Sequence, residues 1–175
     1  MKLFVIGGSN SKNSINRQLA LYTASMFSSA EIINYDISKI DLPLFSVDLE
    51  AEIGSHPVSN DFAQQMDACD LIIISLAENN SSFNVGLKNL LDWTSRIKDR
   101  KTFGGKDMLL MATSPGARGG ASVLESAQAL FPRFGANVLA SFSLPSFYDN
   151  FDVEKGITNV ELKHQLQEII SKIEA

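Results

Sequence analysis

A chain of 175 residues with 45% hydrophobic and 20% charged side chains has room for a central sheet covered on both faces, and it reads as a single domain over residues 1–175. The formal net charge of −5 excludes a basic nucleic-acid-binding surface, because phosphate contacts need clustered cations, and Lys98, Arg100, Lys101 and Lys106 are interspersed with Asp99 and Asp107. Cys69 stands alone, which excludes an internal disulfide and fits a reducing compartment, and no stretch reaches the roughly 20 apolar residues of a membrane span, so the expectation is a soluble, cytoplasmic protein.

Taken in chain order, five short apolar runs predict strands: Leu3–Ile6, Glu31–Tyr35, Leu71–Leu76, Met108–Ala112 and Ala136–Phe142. Several are continuous rather than alternating, the pattern of strands buried on both faces of a parallel sheet. Between them, apolar residues recur at helical spacing in Ile15–Phe27, Phe62–Cys69, Val85–Ile97 and Val123–Phe134, and Val160–Ile173 closes the series. Strands alternating with such helices imply βαβ units and a doubly wound sheet, with ligands at the carboxyl ends of the strands. The region of Pro43 and His56-Pro57 reads as a long loop, and Pro145–Asn159 as an irregular segment rich in Phe, Asp and Asn.

The first strand runs into Gly7-Gly8-Ser9-Asn10-Ser11-Lys12-Asn13-Ser14 before a helix begins near Ile15. A loop entering a helix N-terminus offers unpaired N–H groups and a partial positive charge, which suits phosphate. Ser9, Ser11 and Ser14 add hydroxyls, Lys12 adds a cation, and Asn16 is placed to bridge the loop to the next strand. The plain alternative is a helix capped by Asn13 or Ser14 with no ligand. Neither the Rossmann G-x-G-x-x-G nor the Walker G-x-x-x-x-G-K-S/T is present. The third strand leads into Ala77-Glu78-Asn79-Asn80 and the fourth into Ser114-Pro115-Gly116, with Gly119-Gly120 following. Tight loops of small residues let a flat heterocycle approach the backbone closely. Three loops on one sheet edge therefore converge, one suited to phosphate and two to a planar ring.

At these residues the chain resembles the NAD(P)H-dependent FMN reductases of flavodoxin-like fold, a group that includes quinone, azo-dye and chromate reductases. The resemblance runs from Lys2 to about Leu144. It is carried by Gly8-Ser9 with Ser14, Asn16 and Leu19-Ala20, by Asp41-Leu42-Pro43-Leu44, by Leu87-Lys88-Asn89-Leu90-Leu91-Asp92-Trp93, by Gly105-Lys106, and by Ser114-Pro115-Gly116. It implies a flavodoxin-like three-layer sandwich with a five-stranded parallel sheet of order 2-1-3-4-5. It implies FMN as cofactor and NADPH or NADH as co-substrate. Ser9, Ser11, Lys12, Ser14, Ile15 and Asn16 would meet the phosphate and ribityl chain, Ala77, Glu78, Asn79 and Asn80 would lie under the isoalloxazine ring, and Ser114 and Gly116 would lie near its edge. The implied reaction passes hydride from nicotinamide through FMN to a quinone, azo compound, free flavin or similar small acceptor, with no catalytic side chain. A homodimer or homotetramer is implied as well. Three places depart from the family pattern: Ser11 stands where Arg is common, Ala77-Glu78-Asn79-Asn80 where Pro-Glu-Tyr-Asn is usual, and Asn84-Val85 where Pro-Gly is usual.

Other readings stay open alongside this one. A non-enzymatic flavin electron carrier fits the same fold, as does a flavodoxin-like binding protein that has lost FMN. Glu78 reads either as a neighbour of the ring or as the cap of the Ser82–Val85 turn. Trp93 and Ile97 share a second apolar helix face, which points to a partner helix or to cover by the C-terminal segment. Phe147, Tyr148 and Phe151 read as a substrate wall or as a packed loop. His56 and His164 show no metal-ligand spacing.

Overall fold

Leu3, Phe4, Val5 and Ile6 are at most 1% exposed, which is why the first apolar run forms a central strand. The computed structural model describes residues 1–175. Its elements are β1 (Lys2–Gly8), α1 (Ile15–Ser25), β2 (Glu31–Tyr35), α2 (Val47–Ile53), α3 (Pro57–Asp67), β3 (Leu71–Leu76), β4 (Glu78–Asn79), β5 (Ser82–Phe83) and α4 (Val85–Thr94). There follow β6 (Asp107–Thr113), α5 (Ala121–Leu130), β7 (Asn137–Leu144), α6 (Phe147–Asn150), β8 (Phe151–Asp152), β9 (Gly156–Ile157) and α7 (Val160–Glu174). The main sheet has the order β2-β1-β3-β6-β7, and every pairing in it is parallel. Counting only these five strands gives 2-1-3-4-5, the flavodoxin-like arrangement expected.

Side-chain alternation divides the core into two layers. Phe4, Ile6, Ile72, Ile74, Met108 and Leu110 face α3, α4 and α5, joining Phe62, Met66, Leu87, Leu90 and Val123. Leu3, Val5, Leu71, Ile73, Leu109 and Met111 face α1 and α7, joining Leu19, Ala20, Leu166 and Ile170. Each fully buried side chain of this size contributes about 1.5–3 kcal/mol of transfer free energy. The register sets Gly8 beside Leu76 and Leu76 beside Ala112. The carboxyl ends of β1, β3 and β6 are therefore level, and their loops emerge side by side at the topological switch point. No helix is long and apolar enough to cross a membrane.

Several expectations need correction. The long loop around Pro43 and His56 contains α2, and α3 begins at Pro57, with the His56 ring accepting from the Val58 N–H at 3.2 Å. The irregular segment 145–159 contains α6 and the β8–β9 hairpin. The single helix expected over Val123–Phe134 is an α-helix to Leu130 and then a 3-10 turn, with Pro132 within the turn. Trp93 is fully buried within its own chain rather than on a free face or under the C-terminal segment. Its indole N–H donates to the Pro43 carbonyl at 2.8 Å, and the Phe45 ring packs edge-on at 5.2 Å. Asn89 clamps the same segment, donating to the Pro43 carbonyl at 3.0 Å and accepting from the Phe45 N–H at 2.8 Å. The Leu87–Trp93 motif thus holds down the Asp41–Leu44 motif.

Candidate functional site

The site is built first by how closely α1 lies on β1. A Cβ on Gly7 would stand 2.5 Å from the Arg17 backbone, so only glycine permits that approach. Ser14 then caps α1, its hydroxyl accepting from the Arg17 N–H at 3.1 Å. The Ser9 hydroxyl accepts from the Ser11 N–H at 3.2 Å. Both hydroxyls keep their own proton to donate elsewhere. The N–H groups of Lys12, Asn13, Ser14, Ile15 and Asn16 find no acceptor in the protein. A consecutive run of free donors at the start of an 11-residue helix is an anion cradle.

Arg17, the nearest guanidinium, is already engaged. It pairs with the Asp36 carboxylate and donates through Nη2 to the Lys12 carbonyl at 2.8 Å. Burial raises the Asp36 pKa, but bonds from the Ser38 hydroxyl and N–H, together with Arg17, outweigh it and hold the group below the usual carboxylate range. The pair braces the loop's outer side. Asn16 braces the inner side. Its Oδ1 accepts from the Ser75 hydroxyl at 2.7 Å and from the Thr113 N–H at 3.1 Å, and its Nδ2 donates to the Thr113 carbonyl at 3.2 Å. Asn84 ties the loop to α4: its Oδ1 accepts from the N–H of Asn10 and of Gly86, and its Nδ2 donates to Asn10 Oδ1 and Asn79 Oδ1.

These loops enclose an open cleft of about 190 Å³. Ser9, Ser11, Ser14, Ile15 and Asn16 line it from the first loop, and Ala77, Glu78 and Ser114 from the other two. Of the remaining expected residues, Lys12, Asn79, Asn80 and Gly116 do not line it. Asn80 and Ser81 take positive φ of 51° and 61° and turn the β4–β5 hairpin, in which Asn79 pairs with Ser82. The Gly116 carbonyl is occupied by N–H groups of Gly119 and Ser146. Asn13, Thr113 and Pro115 line the cleft without having been assigned to it from sequence. Tyr148 lines it as well, in keeping with the wall alternative for that residue, because the loop after the fifth parallel strand opens on the same sheet edge. A larger opening of about 710 Å³ lies between α2 and the segment after α4, where the Arg96–Glu50 ion pair lines it, away from the strand ends.

The family model of NADPH-dependent FMN reductases matches residues 1–149. The chain belongs to the NADPH-dependent FMN reductase family. A 2-hydroxy-1,4-benzoquinone reductase of Burkholderia sp is 37% identical over 120 residues, covering 68% of this chain and 63% of that protein. A quinone reductase of Escherichia coli (strain K12) is 31% identical over 121 residues, covering 69% of this chain and 64% of that protein. The matched stretch is thus less than two thirds of either relative's length. The structure of FerB, a flavoenzyme NAD(P)H:(acceptor) oxidoreductase from Paracoccus denitrificans, superposes with a TM-score of 0.78 at 21% identity, covering 98% of this chain and 93% of that one. That likeness shares the fold.

In this member of the FMN reductase family, Glu78 has a defined structural partner. Its Oε2 accepts from the Val123 N–H at 3.0 Å, so it caps the first turn of α5 rather than the Ser82–Val85 turn. There Gly120 offers no side-chain cap, and the carboxylate meets the positive end of the helix. Arg118 is exposed and donates to the Ser122 hydroxyl at 2.9 Å. Phe147 is buried at 3% exposure and stacks on Phe151 at 4.7 Å, so of the three aromatics beyond β7 only Tyr148 faces the cleft.

Proposed function

We propose that this chain is an FMN-dependent NAD(P)H oxidoreductase, working as a single flavodoxin-like FMN-binding domain over residues 1–175 and delivering electrons to a quinone or a similar small acceptor. One observation carries the reading: Asn13, Ser14, Ile15 and Asn16, whose N–H groups are free, line the same cleft as Ser9 and Ser11 and as residues of the loops after β3 and β6. A phosphate monoester, with its charge near −2 at neutral pH, matches that many converging donors. The cleft residues offer contacts for the ring as well as for the phosphate. Ala77 and Pro115 give flat apolar walls for a ring, and Ser114 gives a polar contact at its edge.

Bound FMN supplies the chemistry of accepting hydride from a reduced nicotinamide and delivering electrons onward. The protein's part is positioning. The α1 N-terminus holds the phosphate, Asn16 and Asn84 keep the first loop in register with the others, and Glu78 holds α5 against the cleft. The open mouth admits nicotinamide and acceptor in succession. No His or Cys lines the cleft, and the reaction asks for no side-chain nucleophile. The quinone reductases among the relatives support a quinone as acceptor, and the family resemblance supports a homodimer or homotetramer.

The test is a titration of the flavin-free protein with FMN and, separately, riboflavin, followed by oxidation of NADPH and NADH in the presence of a benzoquinone. The expected result is saturable FMN binding, weaker binding of riboflavin, and quinone-dependent oxidation. No binding at tens of micromolar FMN would overturn the reading.

A further inference from the structure

Tyr148 is the aromatic side chain of the cleft, and it stands 72% exposed. Its backbone is nonetheless fixed on both sides. The Ser146 N–H donates to the Gly116 carbonyl and the Phe147 N–H to the Ser114 carbonyl, both at 3.0 Å. Asn150 Nδ2 donates to the Pro145 carbonyl at 2.9 Å. Ser146 holds a positive φ of 44°, which is uncommon for a residue with a side chain, and the buried Phe147 anchors the turn. The loop after β6 and the turn after β7 are thus one connected piece, and the rigid part of that piece presents a bare ring to the cleft. Residues Ala77–Ser82, which bound the cleft from β3, contain no aromatic at all. Within the chain the Tyr148 ring meets one aromatic neighbour, Phe147, edge-on at 5.6 Å, so most of it stays in water beside the cleft; a flat ligand would cover it.

We propose that Tyr148 is the stacking wall of the site and lies against the ring system of the bound flavin. This rests on the FMN reading above. An aromatic on a rigid turn loses little freedom when a ring settles on it, so it contributes affinity for the ring rather than for the phosphate. Stacking of an electron-rich phenol on an oxidised flavin also quenches the flavin's emission, which gives a signature independent of turnover.

The experiment compares the full-length protein with Tyr148→Ala and Tyr148→Phe, reading FMN dissociation constants and the flavin emission of each saturated complex. Because the side chain is exposed, both variants should fold, which far-ultraviolet circular dichroism checks. Tyr148→Ala is expected to weaken FMN about tenfold and to brighten the bound flavin. Tyr148→Phe is expected to keep the affinity within about twofold, since the ring face is retained, and to brighten the flavin. Unchanged affinity and emission in Tyr148→Ala would overturn the proposal, as would an equal loss of affinity in both variants. Failure of the unmodified protein to bind FMN is a separate outcome, which overturns the FMN reading and this inference with it.

Discussion

The Ser75 hydroxyl donates to Asn16 Oδ1 at 2.7 Å, joining the middle sheet strand to the first turn of α1 across 59 residues of chain. Asn16 is 2% exposed and Ser75 fully buried, and the same amide also satisfies the Thr113 backbone. Asn16 is therefore a strut that sets the spacing of the loops after β1 and β6. Its backbone N–H is left free for an anion.

Asn16→Ala removes all three bonds and leaves the Ser75 hydroxyl and both Thr113 backbone groups buried without a partner. An orphaned buried group costs about 1–3 kcal/mol, and relaxation recovers part of that. The expected loss is about 3 kcal/mol in urea unfolding. Ser75→Ala removes one donor and is expected to cost about 1 kcal/mol. A cost for Asn16→Ala below that of Ser75→Ala would show that Asn16 is not the strut.

Ser14 serves two tasks that separate by ligand. As N-cap it stabilises α1, and its loss is expected to cost about 1 kcal/mol. As a hydroxyl donor in the anion cradle it contributes only when phosphate is present. Ser14→Ala should therefore weaken FMN about tenfold while leaving riboflavin affinity within about twofold of the unmodified protein. Calorimetric titrations with both ligands check this. An equal loss for both would place Ser14 outside the phosphate subsite.

The Arg17–Asp36 pair makes the first loop sensitive to acid. The Asp36 carboxyl is held below its ordinary value, so its stabilisation is present above the unfolded carboxylate pKa of about 3.9 and is lost as pH falls through the lower folded value. Asp36→Asn is expected to be less stable by about 2 kcal/mol at neutral pH and to lose less stability than the unmodified protein below about pH 4. Urea midpoints measured across that range check both. Parallel pH curves for the two proteins would remove Asp36 from the acid response.

The strands were legible because Leu3–Ile6, Leu71–Leu76 and Met108–Ala112 are continuous apolar runs, which a doubly covered parallel sheet demands. The phosphate loop was legible because local chemistry makes it: hydroxyls, a cap and a helix start lie within a few residues. What was hidden depends on distant partners. α2 buries none of its residues, so it carries no apolar stripe to read. The cover over Trp93 comes from Pro43 and Phe45, some 50 residues upstream. Glu78 reaches α5 at Val123 across 45 residues. The β4–β5 turn at Asn80-Ser81 has two positive-φ positions without a glycine, which draws Asn80 away from the cleft where its place in the loop would have put it.

Tyr35 governs the alkaline limit. It lies at the end of β2, 7% exposed, with the rings of Phe4 and Phe62 at 5.6 and 5.0 Å. Burial, helped by the Asp61 carboxylate, pushes its phenol up to about 12. A raised folded pKa means that the stabilisation is complete below the unfolded value of about 10 and is lost as pH rises through about 12. Over that window the chain is expected to lose on the order of 2 kcal/mol. Tyr35→Phe keeps the ring packing and removes the ionisation. Its denaturant midpoint should match the unmodified protein at neutral pH and exceed it at high pH, and tyrosinate absorbance should lose one late-titrating group. If the two proteins fall together as pH rises, the alkaline transition belongs to another group.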